Sequence, residues 1–221
     1  MEHKVSNVRI IAFRGTEPND LKDWVTDASI KLEKPDDSED DIGIHTGFLS
    51  AYNVVHDEVK GWIKGAGGKP VFTCGHSLGG ALAVVASVRN RSLPPASCYT
   101  FGGPRVGFIA PEKIKTPVYR IVNQGDPVPD VPPSHFCQSR YRHIGDEYQL
   151  SDGELVPAVV GGDHVVDRIV EVVEGGWNFA QHFFGKSLVD AVRDAVEAKA
   201  GAHGCGPYVK HLEKIAEARN P

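Results

Sequence analysis

The fold is decided by the stretch Val71-Phe72-Thr73-Cys74-Gly75-His76-Ser77-Leu78-Gly79-Gly80-Ala81-Leu82-Ala83, which contains the pattern Gly-x-Ser-x-Gly. The residues before the pattern are β-prone and mostly apolar, as in a buried strand, and those after it are apolar helix formers. The sequence therefore predicts a strand, a sharp turn that carries Ser77, and a helix. This is the structural context in which the pattern holds a nucleophile.

The tightness of this turn explains its two glycines. A serine at such a reversal has strained backbone angles, and side chains at Gly75 and Gly79 would collide with the neighbouring strand and helix. Ser77 is then presented at the carboxyl end of the sheet, where the N-terminus of the following helix favours negative charge. A glycine-rich turn without the flanking strand and helix would indicate no more than a helix N-terminus.

Strands and helices alternate along the rest of the chain. An apolar pattern with helical spacing covers residues 47–63, and a second helix is predicted over residues 81–89. Residues 165–173 fit a strand or a helix equally well, and the pattern is helical from residue 186. Strands are predicted at residues 8–13, 97–101, 118–122, 141–150 and 154–160, the last two joined by an Asp152-Gly153 turn.

This alternation predicts one α/β domain over residues 1–221. Its central sheet is expected to be mostly parallel, with helices on both faces, a minimal N-terminus and a helical C-terminal tail. With 221 residues, 41% of them hydrophobic, the chain can bury a substantial core. No apolar run approaches the roughly 18 residues of a membrane span.

Charge excludes nucleic acid as a partner. The net charge is -5 and the pI is near 6.0, and no cluster of Lys or Arg is present to neutralise phosphates. Much of the acidity lies in residues 33–41, which lack the spacing of a calcium loop and are interpreted as a solvated loop. No metal or organic cofactor is expected.

The four cysteines, at positions 74, 98, 137 and 205, show no metal-ligand or Cys-x-x-Cys spacing. All four are expected to be reduced. Because the N-terminus also lacks the pattern of a secretory signal, a cytoplasmic location is expected, or secretion if a leader was removed before position 1.

A serine nucleophile needs a histidine that takes its proton and a carboxylate that orients this histidine. After a turn of this type, the acid and then the histidine follow the serine along the chain. Asp126 lies in the loop directly after the predicted strand 118–122, between a glycine and a proline that restrict its pose. Asp130, further into the same Pro-rich loop, is the alternative.

Five short segments resemble, in order, those of the class 3 lipase family, the filamentous-fungal type triacylglycerol lipases and their esterase relatives. The resemblance covers roughly residues 8–150, with a further local match near residue 182, and implies an α/β-hydrolase fold. It also assigns the acid to Asp126 and leaves Asp130 a structural or solvent role. The segments are Phe13-Arg14-Gly15-Thr16, His45-Thr46-Gly47-Phe48, Gly75-His76-Ser77-Leu78-Gly79-Gly80, Phe101-Gly102-Gly103-Pro104-Arg105-Val106-Gly107 and Asn123-Gln124-Gly125-Asp126-Pro127-Val128-Pro129.

Six histidines follow Asp126 and compete for the role of the base. His182 resembles the histidine of the fungal lipases because two aromatic residues and a glycine follow it. It is therefore the expected base, with His164, after Gly161-Gly162-Asp163, as its competitor. The other four, at positions 135, 143, 203 and 211, are interpreted as non-catalytic.

An oxyanion hole needs two N–H donors. The backbone N–H of Leu78, the residue after the nucleophile, is one. The resemblance supplies the N–H of Thr16 as the other, although Thr16 alone would be interpreted as a cap or turn residue.

The resemblance also implies a lid over residues 17–27, with Leu21, Trp24 and Val25 near the substrate. Trp24 is equally well interpreted as a packing anchor beneath the lid. So short and charged a lid has little apolar area for an oil droplet, which predicts short or medium acyl chains and weak interfacial activation.

The expected reaction is transfer of an acyl group from an ester or lipid to water, with transient contact to a lipid interface. Phospholipids, galactolipids and feruloyl esters are alternative substrates. A non-catalytic lipase-like scaffold, similar to plant immune regulators with this fold, is the alternative outside enzymes. The oligomeric state is not predicted.

Overall fold

The computed structural model describes residues 2–3, 7–15, 31–35, 42–132, 134, 141–151, 154–158 and 200–219. The α-helices within these ranges are α1 (Thr46–Asn53), α2 (His56–Lys64), α3 (Leu78–Arg89), α4 (Ala200–His203) and α5 (Cys205–Arg219). The strands are β1 (Glu2–His3), β2 (Val8–Phe13), β3 (Leu32–Glu33), β4 (Ile42–His45), β5 (Val71–His76), β6 (Ser97–Phe101), β7 (Gly107–Ile109), β8 (Val118–Asn123), β9 (Asp146–Ser151) and β10 (Glu154–Pro157).

A seven-stranded central sheet has the order β1-β2-β5-β6-β8-β9-β10. Its five inner strands are parallel, whereas the edge strands β1 and β10 pair antiparallel with their neighbours. The predicted mostly parallel sheet is therefore confirmed. A second, three-stranded antiparallel sheet of β3, β4 and β7 was not predicted, because its strands are only two to four residues long.

Helices cover both faces of the central sheet. Successive side chains of a strand point to opposite faces, and strand β6 shows this clearly. Cys98 packs into the core cluster that contains Val85 of helix α3. Its neighbour Tyr99 packs instead into the cluster that contains Tyr208 of helix α5. The predicted α/β arrangement is confirmed on this point too.

Several predicted elements have different bounds in the structure. The strand predicted over residues 141–150 begins only at Asp146, helix α3 begins at Leu78 and not at residue 81, and strand β8 ends at Asn123 and not at residue 122. The helix expected over residues 47–63 is divided into α1 and α2, because the run Asn53-Val54-Val55 has low helix propensity and a new start lets α2 bury Val59 and Ile63. The strand expected to reach residue 160 ends at Pro157. The predicted Asp152-Gly153 turn, the segment 165–173 and the start of the helical tail lie outside the described residues.

Cys74, Cys98 and Cys205 are free thiols, as expected, while Cys137 lies outside the described ranges. None of the helices described is both long and apolar enough to cross a membrane. The assignment of residues 1–221 to one domain stays a prediction.

Candidate active site

Ser77 occupies the turn between strand β5 and helix α3, as predicted. Its backbone has φ 56° and ψ -128°, a region that residues other than glycine rarely adopt. The strain is held by hydrogen bonds on both sides of the residue. The N–H of Ser77 donates to the carbonyl of Phe101 at 2.9 Å, and its own carbonyl accepts from the N–H of Gly80 at 2.9 Å.

The glycines around Ser77 have no room for a side chain. A Cβ on Gly75 would lie 2.7 Å from the nitrogen of Gly80, and a Cβ on Gly79 would lie 2.9 Å from the carbonyl carbon of Arg14. Real Cβ atoms essentially never approach other atoms within 3.0 Å. A Cβ on Gly15, at the end of β2, would lie 3.3 Å from Cβ of Ser77. The collisions expected from the sequence are confirmed, and the segment before Thr16 lies against the serine.

Ser77 Oγ is held in a buried position, since the residue is 1% exposed. Among the residues described, no atom makes a hydrogen bond to this oxygen. Leu78 is the first residue of helix α3, so its N–H has no intrahelical acceptor and is available to an oxyanion. Thr16, the other expected donor, lies outside the described ranges, as do the lid residues Leu21, Trp24 and Val25.

Asp126 lies in the loop after strand β8, where the sequence predicted it. The residue is 6% exposed, and its N–H donates to the carbonyl of Asn123 at 3.0 Å. Its Oδ1 accepts a hydrogen bond from the N–H of Val128 at 2.9 Å. Gly125 has a φ of 81°, a conformation that glycine adopts without strain. The Gly-Asp-Pro-Val sequence therefore fixes the carboxylate.

Asp130 faces another partner. Its carboxylate lies 3.6 Å from Nη2 of Arg105, and its carbonyl accepts a short hydrogen bond from Nη1 of the same guanidinium. Arg105 also donates to the carbonyl of Pro132 at 2.9 Å. Asp130 therefore ties two motif loops together through Arg105, which fits the structural role that the resemblance implied.

The imidazole that lies against Asp126 is that of His203. Its Nδ1 is 3.0 Å from Oδ1 and 3.0 Å from Oδ2 of Asp126, and the residue is 4% exposed. The sequence had pointed elsewhere, to His182 with His164 as competitor, and both lie outside the described residues. Among the histidines that the structure describes, His203, interpreted from the sequence as non-catalytic, lies against the acid.

Tyr208 of helix α5 also contacts Asp126. Its hydroxyl donates to Oδ2 of Asp126 at 2.6 Å and accepts from the N–H of Asn123 at 2.9 Å. Burial, and next the negative charge of Asp126, raise the pKa of the Tyr208 hydroxyl above its ordinary value of 10.0. The hydroxyl therefore stays a donor to the carboxylate.

Two further hydrogen bonds fasten the segment that carries His203. The side-chain amide of Asn123 donates to the carbonyl of Ala202 at 2.9 Å. Nε2 of His76 lies 2.8 Å from the carbonyl of His203, and the two imidazole rings are stacked with centroids 4.7 Å apart. Strands β5 and β8 thus hold helix α4 at the carboxyl end of the sheet.

Residues 10–136 match the family model described as Lipase (class 3). The chain belongs to the class 3 lipases. The matched residues include Ser77 and Asp126 but end well before His203, so the family match carries no information on the base.

This class 3 lipase is similar to named fungal and plant proteins. It is 35% identical to the secreted mono- and diacylglycerol lipase 1 of Fusarium solani, over 66% of this chain and 45% of that one. It is 29% identical to the chloroplastic phospholipase A1-Igamma2 of Arabidopsis thaliana, over 75% of this chain and 42% of that one. This class 3 lipase thus spans less than half the length of each.

The fold of this class 3 lipase is similar to that of the lipase from Rhizopus microsporus var. chinensis. The two share 28% identity and superpose with a TM-score of 0.59, over 71% of this chain and 57% of that structure. The expected α/β-hydrolase fold is confirmed.

Proposed function

We propose that this protein hydrolyses carboxylic esters of lipids, with Ser77 as nucleophile, His203 as base and Asp126 as the orienting acid. The observation that carries the proposal is the His203–Asp126 pair, with Nδ1 3.0 Å from both carboxylate oxygens, in a chain that belongs to the class 3 lipases. His203 takes the role that the sequence gave to His182, because Asp126 is already bonded to the ring of His203, to Tyr208 and to Val128.

Contacts on both sides of Ser77 support its place beside this pair. Phe101, whose carbonyl accepts from the N–H of Ser77, precedes Gly102. A Cβ on Gly102 would lie 2.5 Å from Oδ2 of Asp126 and 3.2 Å from Nδ1 of His203. On the other side, the ring of His76 stacks on that of His203. Catalytic hydrogen bonds often tighten only in the substrate complex, so the contact between Ser77 and His203 is proposed for that complex.

The proposed reaction follows from these roles. Ser77 Oγ attacks the ester carbonyl carbon while Nε2 of His203 takes the hydroxyl proton, and Asp126 stabilises the imidazolium. The N–H groups of Leu78 and Thr16 are proposed to bind the oxyanion. His203 then gives the proton to the departing alcohol, and water, activated by the same imidazole, releases the acid.

The substrate class proposed is an acylglycerol or another ester of short or medium acyl chains. The name of the Fusarium solani relative supports acylglycerols, and the name of the plant relative favours phospholipids as the second candidate. The lid over residues 17–27, with Leu21, Trp24 and Val25, is proposed on the family resemblance, and its charge supports weak interfacial activation and only transient contact with a lipid surface.

A substrate panel on wild type and Ser77→Ala tests this proposal. Soluble esters of increasing chain length, a diacylglycerol and a phosphatidylcholine are compared at concentrations below and above their solubility limits. We expect hydrolysis by wild type that Ser77→Ala lowers by a factor of roughly 10⁴ or more. Wild type that neither hydrolyses any ester nor reacts with a fluorophosphonate would support the scaffold alternative. A preference for the phospholipid would favour the second candidate.

A further inference from the structure

We propose that His76, the residue before the nucleophile, is a positioning residue for His203. This inference rests on the proposed function, in which His203 is the base. It starts from the bond between Nε2 of His76 and the carbonyl of His203, 2.8 Å long and spanning 127 residues of chain. A carbonyl can only accept, so Nε2 of His76 carries the proton and donates.

The two rings are also in contact. Their centroids are 4.7 Å apart and their planes are inclined by 27°. His76 also meets the ring of Tyr208 edge-on, with centroids 5.5 Å apart. His76 therefore packs against both the base and the tyrosine that bonds to Asp126, and its stacking restricts the plane in which the imidazole of His203 can lie.

His203 needs such a restraint because of the element that carries it. His203 lies at the C-terminal end of helix α4, where backbone carbonyls have no intrahelical donor. Two side chains of the sheet bond to consecutive carbonyls of this helix, Asn123 to that of Ala202 and His76 to that of His203. The bond from His76 comes from the residue next to Ser77, so it sets the spacing between nucleophile and base most directly.

The charge of His76 suits this role. Burial lowers its pKa below the ordinary value of 6.5, the proximity of His203 lowers it further, and Asp126 opposes these effects. Tyr208, the other titratable group in ring contact, stays protonated. His76 is therefore neutral at neutral pH, and it places no second positive charge beside the imidazolium that forms on His203 during the reaction.

Two substitutions separate the hydrogen bond from the ring contact. His76→Gln keeps an N–H donor near the position of Nε2 and removes the ring, whereas His76→Phe keeps a ring and removes the donor. We expect His76→Phe to lower kcat by about 10- to 100-fold, since small misplacements of reacting groups have effects of this size. KM should change less than about twofold, because no substrate contact is assigned to His76. His76→Gln is expected to recover most of the loss. His56→Phe, another half-buried histidine that packs on a tyrosine ring, is the matched control and should leave kcat unchanged.

All rates are normalised to the folded fraction, and the rate of fluorophosphonate labelling of Ser77 is measured beside hydrolysis. Wild-type kcat in His76→Phe overturns the inference. So does an equal loss in the Phe and Gln variants, or the failure of both to fold, because either result gives His76 only a structural role. Failure of the proposed function is distinguishable, because wild type itself would then neither hydrolyse esters nor be labelled.

Discussion

Nδ1 of His203 lies 3.0 Å from each carboxylate oxygen of Asp126, although 77 residues separate the two along the chain. A hydrogen bond from Nδ1–H to the carboxylate leaves the lone pair on Nε2, which is the tautomer that a base requires. The C-terminal helices are therefore part of the candidate active site and not an appendage to it.

Tyr208→Phe tests how far helix α5 supports the acid. The change removes a donor from Asp126 and leaves the N–H of Asn123 without the hydroxyl to which it donates. A buried unsatisfied donor costs about 1–3 kcal/mol, so we expect the free energy of unfolding in urea to fall by about 2 kcal/mol. Esterase kcat should fall roughly tenfold, because a displaced carboxylate misplaces the imidazole that it orients.

Tyr99→Phe is the control for this change. Tyr99 is half-buried in the same core cluster as Tyr208, and its ring stacks on that of Tyr119. Loss of its hydroxyl should change the free energy of unfolding by less than about 0.5 kcal/mol and leave kcat unchanged. Equal effects of the two substitutions would remove the special role of Tyr208.

Gly79→Ala tests the tightness of the turn at Ser77. Its Cβ would overlap the backbone of Phe13 and Arg14, and overpacking of this kind costs more than about 2 kcal/mol. Gly61→Ala in helix α2 is the matched control, because nothing lies within 4 Å of its Cβ and alanine stabilises a helix by about 0.5–1 kcal/mol over glycine. Urea unfolding should therefore show a lower free energy of unfolding for Gly79→Ala and a higher one for Gly61→Ala. A Gly79→Ala variant as stable as wild type would contradict the tight packing of the turn.

The order and type of the elements around Ser77 were predictable from sequence. Strands β2 and β6 have the predicted bounds of residues 8–13 and 97–101, because both runs are rich in β-prone residues and end at glycine or proline turns. The position of Ser77 was predictable because the glycines beside it have a steric cause. The loop that holds Asp126 was predictable because it directly follows strand β8.

The position of His203 was not predictable in this way. Its contact with Asp126 depends on where helices α4 and α5 dock on the sheet, and no spacing along the chain encodes that. The role of base was assigned to His182 because of the aromatic residues that follow it. A usable signal was present, since His203 directly precedes a clear helical pattern and Tyr208 lies one turn into that helix.

His45 provides a prediction of pH dependence. It caps helix α1, with Nδ1 accepting from the N–H of Gly47 at 3.1 Å, and burial lowers its pKa below the ordinary value of 6.5. The unfolded chain therefore binds a proton at higher pH than the folded protein does, and stability contributed by neutral His45 is lost as the pH falls below 6.5.

His45→Asn keeps a cap acceptor but does not titrate. Between pH 7.5 and pH 5, the free energy of unfolding of wild type should fall by about 1 kcal/mol relative to that of this variant, which is the typical contribution of an N-cap. Urea titrations at each pH measure this difference. A difference between wild type and variant that is constant over this range would exclude His45 as the titrating group.

Thiol reactivity should differ between two cysteines. Cys205 is exposed, whereas Cys98 is fully buried and burial raises its pKa to about 11. Because the thiolate is the reactive form, iodoacetamide at pH 8 should alkylate Cys205 in the native protein and Cys98 only after unfolding, as read by peptide mass spectrometry. Native alkylation of Cys98 at a comparable rate would contradict the described core.

The identity of the base is tested most directly by the rate at which a fluorophosphonate labels Ser77. This rate is measured in His203→Ala and in His182→Ala and compared with wild type, with Ser77→Ala as the blank. We predict that His203→Ala loses labelling by a factor of roughly 10³ or more, while His182→Ala is labelled at the wild-type rate. Loss of labelling in His182→Ala together with wild-type labelling in His203→Ala would contradict the assignment of His203.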